Sequence, residues 1–148
     1  MNVNDYMKSA LDEAKKAAEE GEVPVGAVIV KDGEIIASAR NNREATFDAT
    51  GHAELLAIRE ACRVLGGWHL EACELYVTLE PCPMCMGAII NSRLGKVVYG
   101  AKDAKAGACG SVLDMRSYPL NHKPTVESGV MRDECAALLS EFFSKKRG

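Results

Sequence analysis

Two hydrophobic periods alternate along this chain of 148 residues, and their order limits the folds open to it. Residues 4–20 carry apolar side chains at 6, 7, 10, 11, 14, 17 and 18, the spacing of one helical face, and Gly21 suits a helix stop. The runs "VGAVIV" (25–30) and "EIIASA" (34–39) are strand-like and flank "KDG", which predicts a hairpin with a tight turn. The polar stretch 41–51 reads as a loop, and helical spacing returns over 52–67, closed by two glycines. A strand at 74–79 leads into a helix at about 83–92, and a strand at 96–101 leads into a Gly/Ala-rich loop. A short strand near 124–127 and a helix at about 131–146, with Cys135, Leu138, Leu139 and Phe142 on one face, complete the order. The pattern predicts an α/β fold: a three-layer α-β-α sandwich around a central mixed five-stranded sheet. No repeat, low-complexity tract or linker divides the chain, so residues 1–148 read as a single domain.

No apolar run approaches the roughly 20 residues that a membrane span needs. The first residues, "MNVNDYMKSALDEAKKAAEEGE", are acidic and helical in pattern, unlike a signal or transit peptide. A cytoplasmic protein with no membrane contact is the expectation. The net charge of −3 is unevenly spread. Residues 1–92 hold 8 basic and 15 acidic side chains, whereas residues 93–148 hold 10 and 6. A cationic second half suits a polyanion, but charge alone favours the plainer reading of a mixed, solvated surface.

The six cysteines are Cys62, Cys73, Cys82, Cys85, Cys109 and Cys135. In a cytosolic domain with its own core, a close pair points to metal binding or catalysis rather than to a disulfide framework. Cys82 and Cys85 bracket the start of a predicted helix, with Pro81 and Pro83 around them. Proline's fixed φ suits such a junction, and the positive end of a helix favours thiolate over thiol. One turn separates the two sulfurs, so both can reach one ion. His52 opens another predicted helix and offers a third donor. Two thiolates and an imidazole suit zinc, and three protein ligands leave the fourth tetrahedral position open, as in catalytic rather than structural sites. Glu54 falls in the same first turn as His52, where a carboxylate can move protons for a bound water. A redox pair has no use for His52 and Glu54. A closed structural site would need Cys109, Cys62 or Cys73 as a fourth ligand.

His52-Ala53-Glu54, an interval of 26 residues, then Pro81-Cys82-Pro83-Met84-Cys85 resembles the signature of the zinc-dependent cytidine/deoxycytidylate deaminase superfamily. The strings "GEVPVGAVIV", "LYVTLEPCPMC", "VVYGAKDAKAG" and "ECAALLSEFF", with "NH" at 121–122, narrow the resemblance to the bacterial tRNA-specific adenosine deaminases over nearly the whole chain. The resemblance implies a cytidine deaminase-like fold, one Zn2+ per subunit and a homodimer acting on a tRNA anticodon stem-loop. It implies hydrolytic deamination of the wobble adenosine to inosine, with zinc-bound hydroxide attacking C6. His52, Cys82 and Cys85 would hold the metal and Glu54 would shuttle protons. Asn42 would hydrogen-bond the flipped base, and Ala53 with Pro24, Val25 and Gly26 would shape its pocket. Asp103, Lys105 and Asn121 would line the RNA face.

The residues themselves speak less sharply to those last roles. Asn42 lies in an "NN" pair that also favours turns. Lys102 and Lys105 suit phosphates or solvent, and Asp103 suits a ribose hydroxyl. Of Phe142 and Phe143, adjacent on a helix, one belongs to the core and the other, taken as Phe143, stacks on a base or closes the pocket. Lys145, Lys146 and Arg147 suit the helix dipole or an RNA backbone. Gly51 and His69 depart from the alanine and arginine expected of the family. Two rivals remain: a deaminase of free bases or nucleosides, and a zinc-stabilised RNA-binding scaffold without activity.

Overall fold

The first helix begins at a reciprocal cap. In the computed structural model, which describes residues 1–147, the Asn2 side chain accepts from the Asp5 amide at 3.0 Å, and the Asp5 carboxylate accepts from the Asn2 amide at 2.9 Å. Helix α1 (Val3–Glu19) then buries Tyr6, Met7, Ala10, Leu11, Ala14 and Ala17 along one face. Strands β1 (Gly26–Lys31) and β2 (Glu34–Arg40) form the expected hairpin. Its turn residues Asp32 and Gly33 both have positive φ, 51° and 79°, which matches the twist of the flanking strands.

The loop expected at 41–51 contains a one-turn helix, α2 (Arg43–Thr46). The local pattern hides it because its support is distant. The buried Glu22 carboxylate accepts from the amides of Glu44 and Ala45, at 3.0 and 2.9 Å. Helix α3 (Ala53–Leu65) ends at Gly66, whose φ of +70° stops it. Strand β3 (Cys73–Leu79), helix α4 (Pro83–Asn91) and strand β4 (Lys96–Ala101) form a strand–helix–strand crossover. A long loop with one 3-10 turn precedes β5 (Thr125–Ser128), and α5 (Arg132–Arg147) closes the chain. Element boundaries lie within two residues of the expected ones.

The sheet order is β2-β1-β3-β4-β5. The β2–β1 and β1–β3 pairs are antiparallel, and β3–β4 and β4–β5 are parallel. Side chains alternate across the sheet as the pleat requires. Ala27, Ile29, Leu75, Val77, Val97 and Tyr99 join the core shared with α3 and α4. Val28, Val30, Tyr76 and Val98 join the core under α1 and α5. These are the three layers expected from the sequence. No described helix is long and apolar enough to cross a membrane.

Candidate active site

The parallel strands β3 and β4 end on the same side of the sheet, where open α/β sheets place their ligands. Glu80 to Cys82 lead out of β3 into α4, and Lys102 leads out of β4. Cys82 is the residue that caps α4, and His52 occupies the same position on α3. Neither side chain is spent on its own helix. The Asn41 carboxamide oxygen instead accepts from the Ala53 amide at 2.8 Å and caps α3 from the neighbouring loop.

His52 Nδ1 lies 3.6 Å from Cys82 Sγ and 3.5 Å from Cys85 Sγ. The three donor atoms lie within 4.8 Å of one another, and among the described residues no fourth His, Cys, Asp or Glu joins them. A tetrahedral ion bonded at about 2.05 Å to nitrogen and about 2.3 Å to sulfur holds those atoms about 3.6 Å apart. The donors therefore already stand at metal-binding spacing. Cys109, one candidate for a fourth ligand, points its thiol at the Met86 sulfur, 3.3 Å away. The hydrogen bond from Cys85 draws the Cys82 thiol down to about 4, with His52 adding to it. Cys85 is pushed up, first by that same contact and then by burial. The Cys82 hydrogen bond raises His52 above its usual value against partial burial. Burial pushes the Glu54 carboxyl up to about 7, with its side chain 4% exposed. An acid poised near neutrality beside a metal-binding cluster is suited to proton transfer.

His52, Glu54 and Cys82 line a cavity of about 520 Å³. Val23 and Val25 line it from the segment entering β1, and Leu139 and Phe143 from α5. Asn41 and Arg43 contribute one loop; Lys102, Asp103, Ala104, Lys105 and Ala106 contribute another. Of the residues expected there, Val25, Asp103, Lys105 and Phe143 join the metal-binding cluster and Glu54. Phe142 is half-buried and meets Phe143 edge-on at 5.4 Å.

Asn42 does not line the cavity. Its carbonyl accepts from the Thr46 hydroxyl at 2.8 Å at the start of α2, and its neighbour Asn41 takes the inward place. Ala53 is wholly buried in the core, Pro24 is buried, and neither lines the cavity. Gly26 faces α1: a Cβ there would stand 2.0 Å from the Ala10 carbonyl oxygen. Asn121 is exposed in the loop before β5 and likewise does not line the cavity. One oxygen of Asp103 is engaged inside its own loop, accepting from the amides of Lys105 and Ala106.

Asn41, Arg43 and Glu80 also line the cavity, and the sequence pattern does not mark them. For Asn41 the only available signal was its place directly after β2, in phase with the buried side of the chain. Arg43 offered only the sign of its charge. Both family departures have a local setting. Gly51 is buried, its carbonyl accepts from the Asn42 amide at 2.9 Å, and a Cβ there would meet Asn42 Oδ1 at 2.4 Å. The His69 ring stacks on Trp68 at 3.7 Å and lies 3.0 Å from Glu71. The side chain of Arg147 lies outside the described residues.

A family model described as MafB19-like deaminase matches residues 1–147. The chain is 54% identical over 143 residues to a tRNA-specific adenosine deaminase of Bacillus subtilis (strain 168), covering 96% of this chain and 89% of that one. It superimposes with a TM-score of 0.89, at 46% identity, on a solved structure from a study of A-to-I editing by tRNA:A34 deaminases at the wobble position of transfer RNA. That match covers 91% of this chain and 99% of the other. A guanine deaminase from Nitrosomonas europaea matches with a TM-score of 0.82 at 28% identity, over 97% of this chain and 85% of that one. The fold is the deaminase fold that these structures share.

Proposed function

The chain belongs to the MafB19-like deaminase family, and from that premise we propose that it deaminates adenosine to inosine at the wobble position of a tRNA anticodon. The observation that carries this reading is the convergence of His52, Cys82 and Cys85 beside buried Glu54 in one cavity. One imidazole nitrogen and two sulfurs at tetrahedral spacing suit zinc, and His52, Cys82 and Cys85 would hold it. A zinc ion held by these three residues would supply a bound water acidic enough to lose a proton near neutral pH.

The chain's own residues then have separable tasks. Glu54 takes a proton at its carboxylate as water adds to C6, and returns one to the amino group, which leaves as ammonia. Val23, Val25, Leu139 and Phe143 give the base an apolar wall and shut water out. Asn41 keeps its amide N–H groups for an acceptor on the base edge, because its oxygen serves the Ala53 amide. Arg43, Lys102 and Lys105 stand at the cavity and meet phosphates. The second oxygen of Asp103 accepts from a ribose hydroxyl. The resemblance also supports a single deaminase domain, a homodimer and a cytoplasmic location; sedimentation of the purified protein tests the dimer.

The direct test incubates the metal-loaded protein with an anticodon stem-loop carrying a wobble adenosine, and separately with free guanine, cytidine and adenosine. Inosine in the RNA is the expected product. Ammonia from guanine alone would move the assignment to free-base deamination. Glu54→Ala is expected to keep bound metal and thermal stability while kcat falls by at least about 10²- to 10⁴-fold. Activity retained in that variant removes Glu54 from the proton path.

A further inference from the structure

Two loops wall the cavity, and each is held by a buried carboxylate that the chemistry above does not use. Glu22 holds α2, and Glu80, 2% exposed, holds the loop after β4. We propose that Glu80 is the positioning residue that sets the 102–111 loop, with its RNA-facing Lys102, Asp103 and Lys105, against the metal-binding cluster.

The hydrogen bonds carry the case. Glu80 Oε1 accepts from the Asp103 amide at 3.1 Å and from the Ser111 hydroxyl. Its Oε2 accepts from the amides of Cys109 and Ser111, at 2.9 and 3.1 Å. The four donors come from both ends of the loop, and no helix or strand spans the loop itself. Among the described residues no lysine or arginine pairs with Glu80. Its charge is held by N–H and O–H dipoles, so the carboxylate organises the loop much as a bound anion would. Gly107 completes the wrap, since a Cβ there would stand 2.4 Å from Glu80 Cδ. Asp103 then accepts from the next amides and continues the turn.

Glu80 also precedes Cys82 by two residues. One short segment, buried at Glu80 and Pro81, thus ties a candidate metal ligand to the loop that meets the RNA. Both carboxylate oxygens already accept two hydrogen bonds, which separates Glu80 from Glu54 as a proton carrier. The inference rests on reading this cavity as an RNA-deaminating site.

The test compares unsubstituted protein with Glu80→Gln, whose amide nitrogen would face N–H donors that the carboxylate oxygen accepted. KM for the anticodon stem-loop is expected to rise about tenfold, the scale of a lost charge-assisted hydrogen bond, with kcat within about twofold. Lys105→Ala should raise KM in the unsubstituted protein but add little in the Glu80→Gln background. In a Glu22→Gln background its effect should be undiminished, because Glu22 holds the other wall. An unchanged KM, or a full additional effect of Lys105→Ala on Glu80→Gln, overturns the proposal. Should Glu80→Gln fail to fold, Ser111→Ala removes one donor pair member and must still raise KM in the same direction. Amide hydrogen exchange reads the anchor without activity: faster exchange at Asp103, Cys109 and Ser111 supports it, and unchanged protection overturns it. An unsubstituted protein inactive on the stem-loop would count against the functional reading, and the exchange result would still decide the anchor.

Discussion

Glu54 and Glu80 are the same side chain, both buried, and their surroundings give them opposite work. Glu54 is pushed up to about 7 by burial beside the cysteines, so it can gain and lose a proton. Glu80 is surrounded by four donors that hold it as an anion. The candidate donor group shows how far single residues were legible. His52 and Cys82 stand 30 positions apart, yet the structure brings together the residues that helix-start position and donor chemistry single out. Cys82→Ser is expected to lower the metal content from about one ion per chain to well under half, measured by elemental analysis after dialysis, because a hydroxyl is a poor substitute for thiolate. Intact stoichiometry would remove Cys82 from the ligand set. Of the two adjacent amides, Asn41 lines the cavity and Asn42 does not. Which of them faces inward depends on where β2 releases the chain, and composition carries no trace of that. Gly51→Ala is expected to cost about 1–3 kcal/mol, read by denaturant unfolding, because the new methyl meets Asn42 and two backbone atoms.

Among elements, those with strong periodicity were legible and those held by distant partners were not. The α1, α3 and α5 patterns, the hairpin and the strand–helix crossover all matched within two residues. Helix α2 did not, since its support is the Glu22 carboxylate about twenty residues away. The approach of α1 to β1 is the tightest element contact involving a glycine. A Cβ on Gly26 would press on the Ala10 oxygen and, at 2.6 Å, on the Ala14 nitrogen, and neither backbone atom can rotate away. Gly26→Ala is therefore expected to cost about 3 kcal/mol or more. A loss under about 1 kcal/mol in the same unfolding experiment would show that α1 slides freely on the sheet.

For the molecule as a whole, charge gathers where the fold brings loops together. The acidic first half supplies Arg43, and the basic second half supplies Lys102 and Lys105, to one cavity. Net charge hid this grouping: an acidic chain with a pI of about 5.7 still gathers three cations at one place. Lys105→Ala is expected to weaken stem-loop binding at all sequences. It should also flatten the slope of log K against log salt by about 0.7, one counterion-releasing contact on a single strand. An unchanged slope would mean that Lys105 meets no phosphate.

By itself the sequence determined what is written locally or in covalent chemistry. Two hydrophobic periods set the elements and their layers, and residue type and helix-start placement set the donor group and its neighbouring acid. The tertiary structure alone decided which loop residues face the cavity, because that depends on backbone groups and side chains meeting across long stretches of chain. Glu22 holding α2, Asn41 reaching Ala53 and Glu80 gathering the 102–111 loop are such meetings. Each satisfies buried polar groups that would otherwise be costly to bury, and no short window of sequence contains both partners.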